Sequence, residues 1–213
     1  MVITRIESQK THPRRVNVYC DGEFTLGLHQ DVLTRFGLRK GDVLDEKKIE
    51  KLQAAEELNL AKEKALRLLG YRRRSEKELR GRLLEKEFHP DVVDSVIEHL
   101  RKLGFVNDRA FAEAFLHDAL MKKPAGTRLL RQELRRKGIK NEIIEEILQE
   151  KLGAETEASL ARDAASKRMR RYPISNDGHE REKQRKRLAD FLARRGFAWS
   201  TVAPILKEFF PKS

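Results

Sequence analysis

The chain has 213 residues, 39% hydrophobic and 38% charged, and its 46 lysines and arginines outnumber its 34 acidic residues for a net charge of +12. No apolar run approaches the roughly 18 residues of a membrane-spanning helix, and the single cysteine, Cys20, cannot form an intrachain disulfide. This composition excludes a disulfide-built secreted protein and a membrane-spanning one, and we expect a cytoplasmic location. The positive charge makes nucleic acid the first partner to consider.

The positive charge is unevenly distributed along the chain. Residues 1–56 carry a net charge of +1, residues 57–153 carry +5, and residues 154–213 carry +6. We therefore expect any surface that attracts an anionic partner to lie in the last three-quarters of the chain.

Residues 1–56 are predicted to form a small β-rich module. Alternating apolar residues on both sides of the Asp-Gly pair at 21–22 predict a β-hairpin, because both central residues of such a turn need positive φ. Residues 2–6 also alternate and can add a third strand. Asp31 is predicted to cap a short helix that Gly37 ends. We interpret this segment as a docking or folding module, since it carries no recognisable catalytic residues.

From residue 45 onward, helical periodicity replaces the strand pattern, and a three-helix unit is repeated. A long first helix leads to a second helix that opens with Ser75 and Glu78 in an S-x-x-E capping box, and to a third that starts at Pro90. Seven positions of the second and third helices, apolar in the first unit, recur 51 residues later, and again, less perfectly, after a further 58. They are Leu79, Leu83, Phe88, Val92, Val93, Val96 and Ile97, then Leu130, Leu134, Ile139, Ile143, Ile144, Ile147 and Leu148, and then Leu188, Leu192, Phe197, Thr201, Val202, Ile205 and Leu206.

The turn between the second and third helices is repeated as well. Gly138 and Gly196 occupy matching positions there, which predicts a helix C-terminus with positive φ, and Glu87 departs from this pattern in the first unit. We therefore predict a mainly α fold, in which three tandem three-helix repeats form an elongated, curved array after the N-terminal module. The predicted repeats are residues 57–104, 105–153 and 154–213.

Charged residues are sorted between the helices of each unit. The second helices and the segments before them are basic, whereas the third helices of the first two units are acidic. The acidic residues make it unfavourable for the third helices to dock in the DNA major groove, because carboxylates and phosphates repel each other. We expect the basic helices to contact phosphates without reading sequence, and the acidic faces to contact protein or solvent. The candidate DNA- or filament-binding residues are Arg72, Arg73, Arg74, Lys77, Arg80, Arg82, Arg128, Arg131, Arg135, Arg136, Lys137, Arg185, Lys186, Arg187, Arg194 and Arg195.

Aromatic residues are sparsely interleaved with the basic ones. This pattern does not support a stacking platform for single-stranded nucleic acid. The predicted packing residues are Phe88, Phe105, Phe111 and Phe115, and the predicted exposed residues are Tyr71, Tyr172 and Trp199.

No catalytic or metal site is predicted. The sequence lacks a Walker-type glycine loop, a metal-spaced cluster of cysteine or histidine, and a G-x-S-x-G elbow. Its six histidines are scattered, and adjacent carboxylates such as Glu145 and Glu146 point in different directions on a helix. We expect a protein that is not an enzyme and needs no cofactor or metal.

Residues 61–150 resemble the RecX family, the bacterial regulators of the RecA recombinase. The segment at 155–210 agrees less closely, and its insert at 173–179 departs from the family pattern. The N-terminal hairpin resembles extensions carried by only some members. The motifs that carry the resemblance are ALRLL (65–69) with RSEKEL (74–79), LGFVND (103–108) with FAEAF (111–115), and QELRRKGI (132–139).

The resemblance implies a non-enzymatic regulator that binds the RecA–DNA filament and modulates RecA, with inhibition as the expected direction. Such a protein would contact both RecA and phosphates, and would affect recombination, DNA repair and the SOS response. We expect a monomer whose partners are the RecA nucleoprotein filament and, through phosphate contacts, DNA. The family has no catalytic residues to transfer, so the basic candidates are inferred from this sequence alone.

Two alternatives stay open at the level of sequence. One is a sequence-nonspecific DNA-binding protein that acts independently of RecA, and the other is a scaffold that binds only protein. Affinities for naked DNA and for the RecA-coated filament at two salt concentrations separate the three hypotheses, because binding through phosphates falls steeply with salt. Within the filament hypothesis, we assign binding by the second repeat to Arg131, Arg135 and Arg136.

Overall fold

The computed structural model describes residues 1–211. Over that range the chain is mostly helical, with ten helices and a small antiparallel sheet at its start, so the predicted mainly α fold is confirmed. The strands are β1 (Ile3–Ser8), β2 (Arg15–Cys20) and β3 (Glu23–His29), and the helices are α1 (Gln30–Arg35), α2 (Glu46–Tyr71), α3 (Glu76–Leu84), α4 (Pro90–Lys102), α5 (Asp108–Lys122), α6 (Thr127–Arg136), α7 (Asn141–Lys151), α8 (Ala154–Arg171), α9 (Gly178–Arg194) and α10 (Trp199–Phe209).

The three strands form one antiparallel sheet in the order β1–β2–β3, which confirms the predicted hairpin and the third strand. Asp21 and Gly22 form the turn between β2 and β3 with φ of +49° and +92°. Alternate side chains of β2 point to the same face of the sheet, and Val16, Val18 and Cys20 on that face are buried. The alternation in the sequence therefore identified the core face of the module.

The N-cap of α1 is His29, and the prediction of Asp31 was wrong. His29 Nδ1 accepts a hydrogen bond from the backbone N–H of Asp31 at 3.2 Å, and Asp31 lies in the first turn. Glu56 accepts the backbone N–H of His29 at 2.6 Å and approaches the Arg15 guanidinium at 2.8 Å. Because His29 also ends β3, the chain passes from strand to helix without a loop. Gly37 follows the helix with φ of +60°, as predicted.

Helix α2, with 26 residues, packs against two hydrophobic clusters. Its first turn is capped by Asp45, which accepts the backbone N–H of Lys48 at 2.7 Å. Leu52, in its first half, is buried with the residues of the sheet, whereas Ala61 and Ala65 in its second half are buried with α3 and α4. The helix is continuous through residue 56, so the sheet and the first repeat share one helix.

Each three-helix repeat has its own hydrophobic cluster. The clusters lie among α2–α4, among α5–α7 and among α8–α10. All seven matching positions are buried or half-buried in all three repeats, which confirms the repetition. An amphipathic helix must bury its apolar stripe against another element, and three helices around one cluster achieve this within a short segment. The domain boundaries given above remain predictions.

By their backbone contacts, the described residues group into two compact units. The first unit comprises Met1–Arg73 and Leu79–Val106, and the second comprises Arg74–Glu78 and the chain from residue 107 onward. The first turn of α3 therefore belongs to the second unit, together with the second and third repeats.

The turn that follows the second helix has the same left-handed backbone in all three repeats. Glu87, Gly138 and Gly196 have φ of +62°, +86° and +83°, respectively. The sequence departs from glycine at Glu87, but the backbone keeps the conformation of the repeat. For a residue with a Cβ this conformation costs about 1 kcal/mol, whereas glycine adopts it freely.

We expect Glu87→Gly to raise the free energy of unfolding by about 1 kcal/mol, because it removes this Cβ penalty. Lys86→Gly is the matched control, since Lys86 has no positive φ, and it should lower stability by about 0.5 kcal/mol. Chemical denaturation of the full chain measures both variants. A Glu87→Gly protein less stable than the parent would contradict the turn described here.

Candidate nucleic-acid interface

Helix α6 presents three candidate residues on one face. Arg128, Arg131 and Arg135 are spaced by three and four residues, which places them on the same side of a helix with 3.6 residues per turn. Leu130 and Leu134 face the core of the second repeat and are buried. The apolar stripe of α6 thus orients the arginine face away from the core.

This face of α6 lines an open cleft of about 390 Å³ together with the end of α9. Arg128, Arg131 and Arg135 contribute from α6, and Arg194 contributes from α9. We call this space the arginine cleft, and none of its described lining residues is acidic. Candidates from the second and third repeats therefore converge on one site. Its remaining lining residues are Leu129, Gln132, Ala193 and Gly196.

One arginine of the cleft is held by a carboxylate. Arg131 donates from Nε and Nη2 to the two carboxylate oxygens of Glu145 on α7, at 2.6 and 2.8 Å. These hydrogen bonds hold the pKa of Glu145 below its ordinary value and raise the pKa of Arg131. The pair fixes the Arg131 guanidinium and neutralises much of its charge.

The other three arginines of the cleft keep donors for a ligand. Arg135 donates from Nε to the Asn141 side-chain oxygen at 2.9 Å, and its Nη atoms make no hydrogen bond to a described residue. The exposed side chains of Arg128 and Arg194 make no hydrogen bond or ion pair with any residue in 1–211. Guanidinium groups with free terminal nitrogens bind phosphate or carboxylate through two parallel hydrogen bonds.

The ion pair between α6 and α7 has a counterpart in the first repeat. Arg80 of α3 and Asp94 of α4, each 51 residues earlier, form the same contact. The matching positions in the third repeat are Ala189 and Ala203. In each of the first two repeats, an acidic residue of the third helix therefore neutralises an arginine of the second helix.

A basic residue outside the candidate set binds two further carboxylates of α7. Arg109 of α5 donates to Glu146 at 2.6 Å and to Glu150 at 2.7 Å. The hydrogen bonds that Arg109 donates to Glu150 and Glu146 raise its pKa. The sequence did not reveal this contact, because α5 and α7 are separated by α6 along the chain.

The second and third repeats interlock where α6 begins and α9 ends. The backbone N–H of Gly126 donates to Arg195 O at 2.9 Å, and that of Arg128 donates to Gly196 O at 3.1 Å. A Cβ added at Gly126 would lie 2.4 Å from Gly196 O, and one added at Gly196 would lie 2.4 Å from the backbone of Leu129. The two backbones thus leave no room for a side chain, and this contact fixes both walls of the arginine cleft.

A matching contact lies at the start of α3. Ser75 Oγ donates to Lys137 O at 2.7 Å and accepts the backbone N–H of Glu78 at 3.2 Å, which confirms Ser75 as a helix cap. A Cβ added at Gly138 would lie 2.5 Å from Lys77 Cβ, and Lys137 Nζ pairs with Glu78. The aliphatic part of Lys77 therefore packs against Gly138 and the amine of Lys137 is paired, although the sequence placed both lysines among the candidate binding residues.

An acidic residue supports the first turn of the second helix at both contacts. Asp108 accepts the backbone N–H of Glu76 at 2.8 Å, and Glu157 accepts the backbone N–H of Thr127 at 3.1 Å. The first N–H groups of a helix lack partners within the helix, so each carboxylate satisfies one of them. Burial raises the pKa of Asp108.

The other candidate residues are engaged or dispersed. Arg195 donates from Nη1 to Pro124 O at 3.3 Å, and Arg72 donates to Arg73 O at 2.9 Å. Lys186 is exposed, and Arg74 lies in the segment before α3. Arg82, Arg136, Arg185 and Arg187 pair with Glu85, Glu133, Glu182 and Glu180, respectively, at 2.5–2.9 Å.

Most aromatic residues lie as the sequence predicted. Phe105 does not: it is 58% exposed, and the prediction that it packs was wrong. It follows Gly104, whose φ of +76° turns the chain out of α4 before α5 begins. Phe111 is buried, Phe88 and Phe115 are half-buried, and Tyr71, Tyr172 and Trp199 are exposed.

Within residues 1–211, no group of three or more His, Cys, Asp or Glu side chains is placed to hold a metal ion. In the same range, no helix is long and apolar enough to cross a membrane.

The fold and the cleft define a class of helical-repeat protein in which arginines from successive three-helix units meet. Models of the RecX family match the chain in order: the regulatory protein RecX N-terminal domain over residues 1–45, and the first, second and third three-helix domains over 61–100, 107–148 and 155–206. The chain belongs to the RecX family of regulatory proteins. The match extends beyond residues 61–150, on which the resemblance in sequence rested.

Individual relatives support this assignment over nearly the whole chain. Regulatory protein RecX of Clostridium acetobutylicum is 33% identical, over 99% of this chain and 97% of its own length. That of Clostridium beijerinckii is 31% identical, over 97% and 94%. A crystal structure of regulatory protein RecX, 30% identical, superimposes with a TM-score of 0.78 over 97% of this chain and 98% of its own. RecX from Lactobacillus salivarius, 24% identical, shares the fold over 73% of this chain and 97% of its own, with a TM-score of 0.65.

Proposed function

We propose that this protein regulates RecA by binding the RecA–DNA filament and inhibiting its activity. Membership of a family of regulatory proteins supports a role without chemistry of its own, and the arginine cleft supports contact with DNA. In this role the protein acts as a monomer in the cytoplasm, where it limits recombination and DNA repair and modulates the SOS response.

The arginine cleft is the single observation that carries the DNA contact. Arg128, Arg135 and Arg194 line the cleft and keep free donors, and none of the described lining residues is acidic, so a phosphodiester is the complementary ligand. Arg131 forms a rigid part of the wall because Glu145 holds it. Such a site follows the DNA backbone and does not distinguish bases.

An exposed apolar turn supports contact with a protein partner. Leu103 and Phe105 are 57% and 58% exposed, and they follow the basic residues Arg101 and Lys102 at the end of α4. Large apolar side chains at the surface are typical of protein–protein interfaces. A filament of RecA on DNA offers a protein surface for this turn and phosphates for the cleft.

The test is ATP hydrolysis by RecA on single-stranded DNA while the purified protein is titrated in. We expect the rate to fall, and filament length in electron micrographs to shorten, at amounts stoichiometric with RecA. An unchanged rate and unchanged filaments would contradict the proposal.

The arginine cleft also favours a second candidate, a sequence-nonspecific DNA-binding protein that acts without RecA. That protein would bind naked DNA as tightly as the filament, and log K would fall with log salt by about 0.9 per phosphate contact. Affinity for the filament well above that for naked DNA, at two salt concentrations, favours regulation of RecA.

A further inference from the structure

Alternating aromatic and cationic side chains form a stack at the end of α8. The Arg168 guanidinium lies over the Phe191 ring, with 4.6 Å from Cζ to the centroid, and over the Tyr172 ring, with 5.5 Å. Phe191 is half-buried against the core of the third repeat, whereas Tyr172 is 52% exposed. The stack is therefore anchored in the core at one end and ends in an accessible aromatic ring at the other.

The loop between α8 and α9 begins with Tyr172 and is held by hydrogen bonds to α9. Gln184 of α9 donates to Pro173 O at 2.9 Å and accepts the backbone N–H of Ser175 at 2.9 Å. The nitrogen and the oxygen of the Gln184 side-chain amide thus both bind this loop to α9. These two hydrogen bonds hold the backbone directly after Tyr172.

Tyr172 and Arg168 line a cavity of about 290 Å³ with Met169, Gln184 and Arg187. Arg187 uses one Nη atom for Glu180 at 2.9 Å, which leaves further donors on the same guanidinium. This cavity combines a flat aromatic face with fixed cations. Its complement is a flat, π-faced group that carries a negative charge nearby.

We propose that Tyr172 is a stacking platform for one unpaired base of single-stranded DNA, and that Arg168 positions its ring. The flanking phosphates are then neutralised by Arg187 and by the exposed Arg170 and Arg171, which precede Tyr172 in the chain. Bases of any identity stack on an aromatic ring, whereas duplex DNA keeps its bases stacked on one another. This proposal goes beyond the function proposed above, because it requires single-stranded DNA but not RecA.

The test compares two fluorescein-labelled oligomers of equal charge, an oligodeoxythymidylate of about ten nucleotides and an abasic strand of the same length. We expect Tyr172→Leu to weaken binding of the oligodeoxythymidylate about tenfold, because a leucine side chain offers no aromatic face to a base. Affinity for the abasic strand should not change, and Tyr172→Phe should bind both like the parent. Equal affinities of Tyr172→Leu and the parent for oligodeoxythymidylate, or equal reductions on both strands, would overturn the proposal.

Positioning by Arg168 has its own matched control on the same helix. Arg168→Leu and Arg162→Leu each remove one positive charge from α8. Arg162 pairs with Glu208 at 3.0 Å and is not part of the stack. We expect only Arg168→Leu to lower the affinity for oligodeoxythymidylate relative to the affinity for the abasic strand. The same change in that ratio for both variants would show that Arg168 acts only as a charge.

Photocrosslinking locates the base directly. An oligomer containing 5-iododeoxyuridine, irradiated on the parent protein and digested with trypsin, should label the peptide from Tyr172 to Arg181. Labelling confined to other peptides would overturn the site. RecA is absent from all of these measurements, so their failure would leave the RecA test unaffected.

Discussion

Reversing the charges of Arg128, Arg135 and Arg194 to glutamate is expected to lower affinity for DNA and for the RecA–DNA filament about a hundredfold at low salt. The three side chains supply the unpaired donors of the arginine cleft, and carboxylates in their place would repel phosphate. The slope of log K against log salt should also become shallower, by about 0.9 for each phosphate that the variant no longer binds. Fluorescence anisotropy at several salt concentrations measures both quantities.

The control for this variant changes net charge equally without touching the cleft. Arg14, Arg39 and Lys40 are exposed in the N-terminal module, and their reversal to glutamate removes the same amount of positive charge. We expect this control to retain inhibition of RecA, with a minor decrease in affinity from long-range electrostatics. If both triple variants bound DNA equally weakly, binding would depend on net charge and not on the cleft.

The sequence assigned filament binding by the second repeat to Arg131, Arg135 and Arg136, and the structure shows that two of these residues are paired. Arg136 pairs with Glu133 on its own helix, and Arg131 pairs with Glu145 on the next. A glutamate at 131 would face Glu145 and disturb the second repeat itself. Weaker binding by a variant with glutamate at 131, 135 and 136 would therefore reflect a disturbed second repeat as well as the loss of binding residues.

Gly196→Ala is expected to lower the free energy of unfolding by about 3 kcal/mol, the sum of a positive-φ penalty and overpacking. The new Cβ would lie 2.4 Å from the backbone of Leu129, at a residue whose φ is +83°. The carbonyl of Gly196 also accepts the N–H of Arg128, so relief of the clash would move one wall of the arginine cleft. Urea denaturation followed by circular dichroism measures the stability, and DNA affinity should fall with it.

Gly178→Ala is the matched control for this substitution. Gly178 lies in the first turn of α9, has no positive φ, and has open space where a Cβ would be added. We expect its stability to equal or exceed that of the parent, because alanine favours helix more than glycine does. Equal stability of the two alanine variants would mean that the second and third repeats do not interlock through Gly196.

Most of the fold could be predicted from the sequence, because its signals are local. The seven repeated apolar positions follow the helical period, and the Asp-Gly turn, Ser75 and Pro90 mark the ends of elements through their own backbone preferences. Where local preference and tertiary contact compete, the tertiary contact decides. His29 caps α1 in place of Asp31 because β3 runs directly into the helix.

The order of the elements, the core face of each helix and the basic character of the second helices follow from the sequence alone. Which basic side chains keep free donors depends on contacts between helices in the folded chain. Periodicity states which side of a helix an arginine occupies, but not which side chain of another helix lies opposite it. Arg131 pairs with Glu145, Arg194 lines one cleft with the arginines of α6, and Arg168 lies over the rings of both Phe191 and Tyr172. These pairings depend on how helices pack, because charge and stacking act over a few ångströms between residues that are distant in the chain.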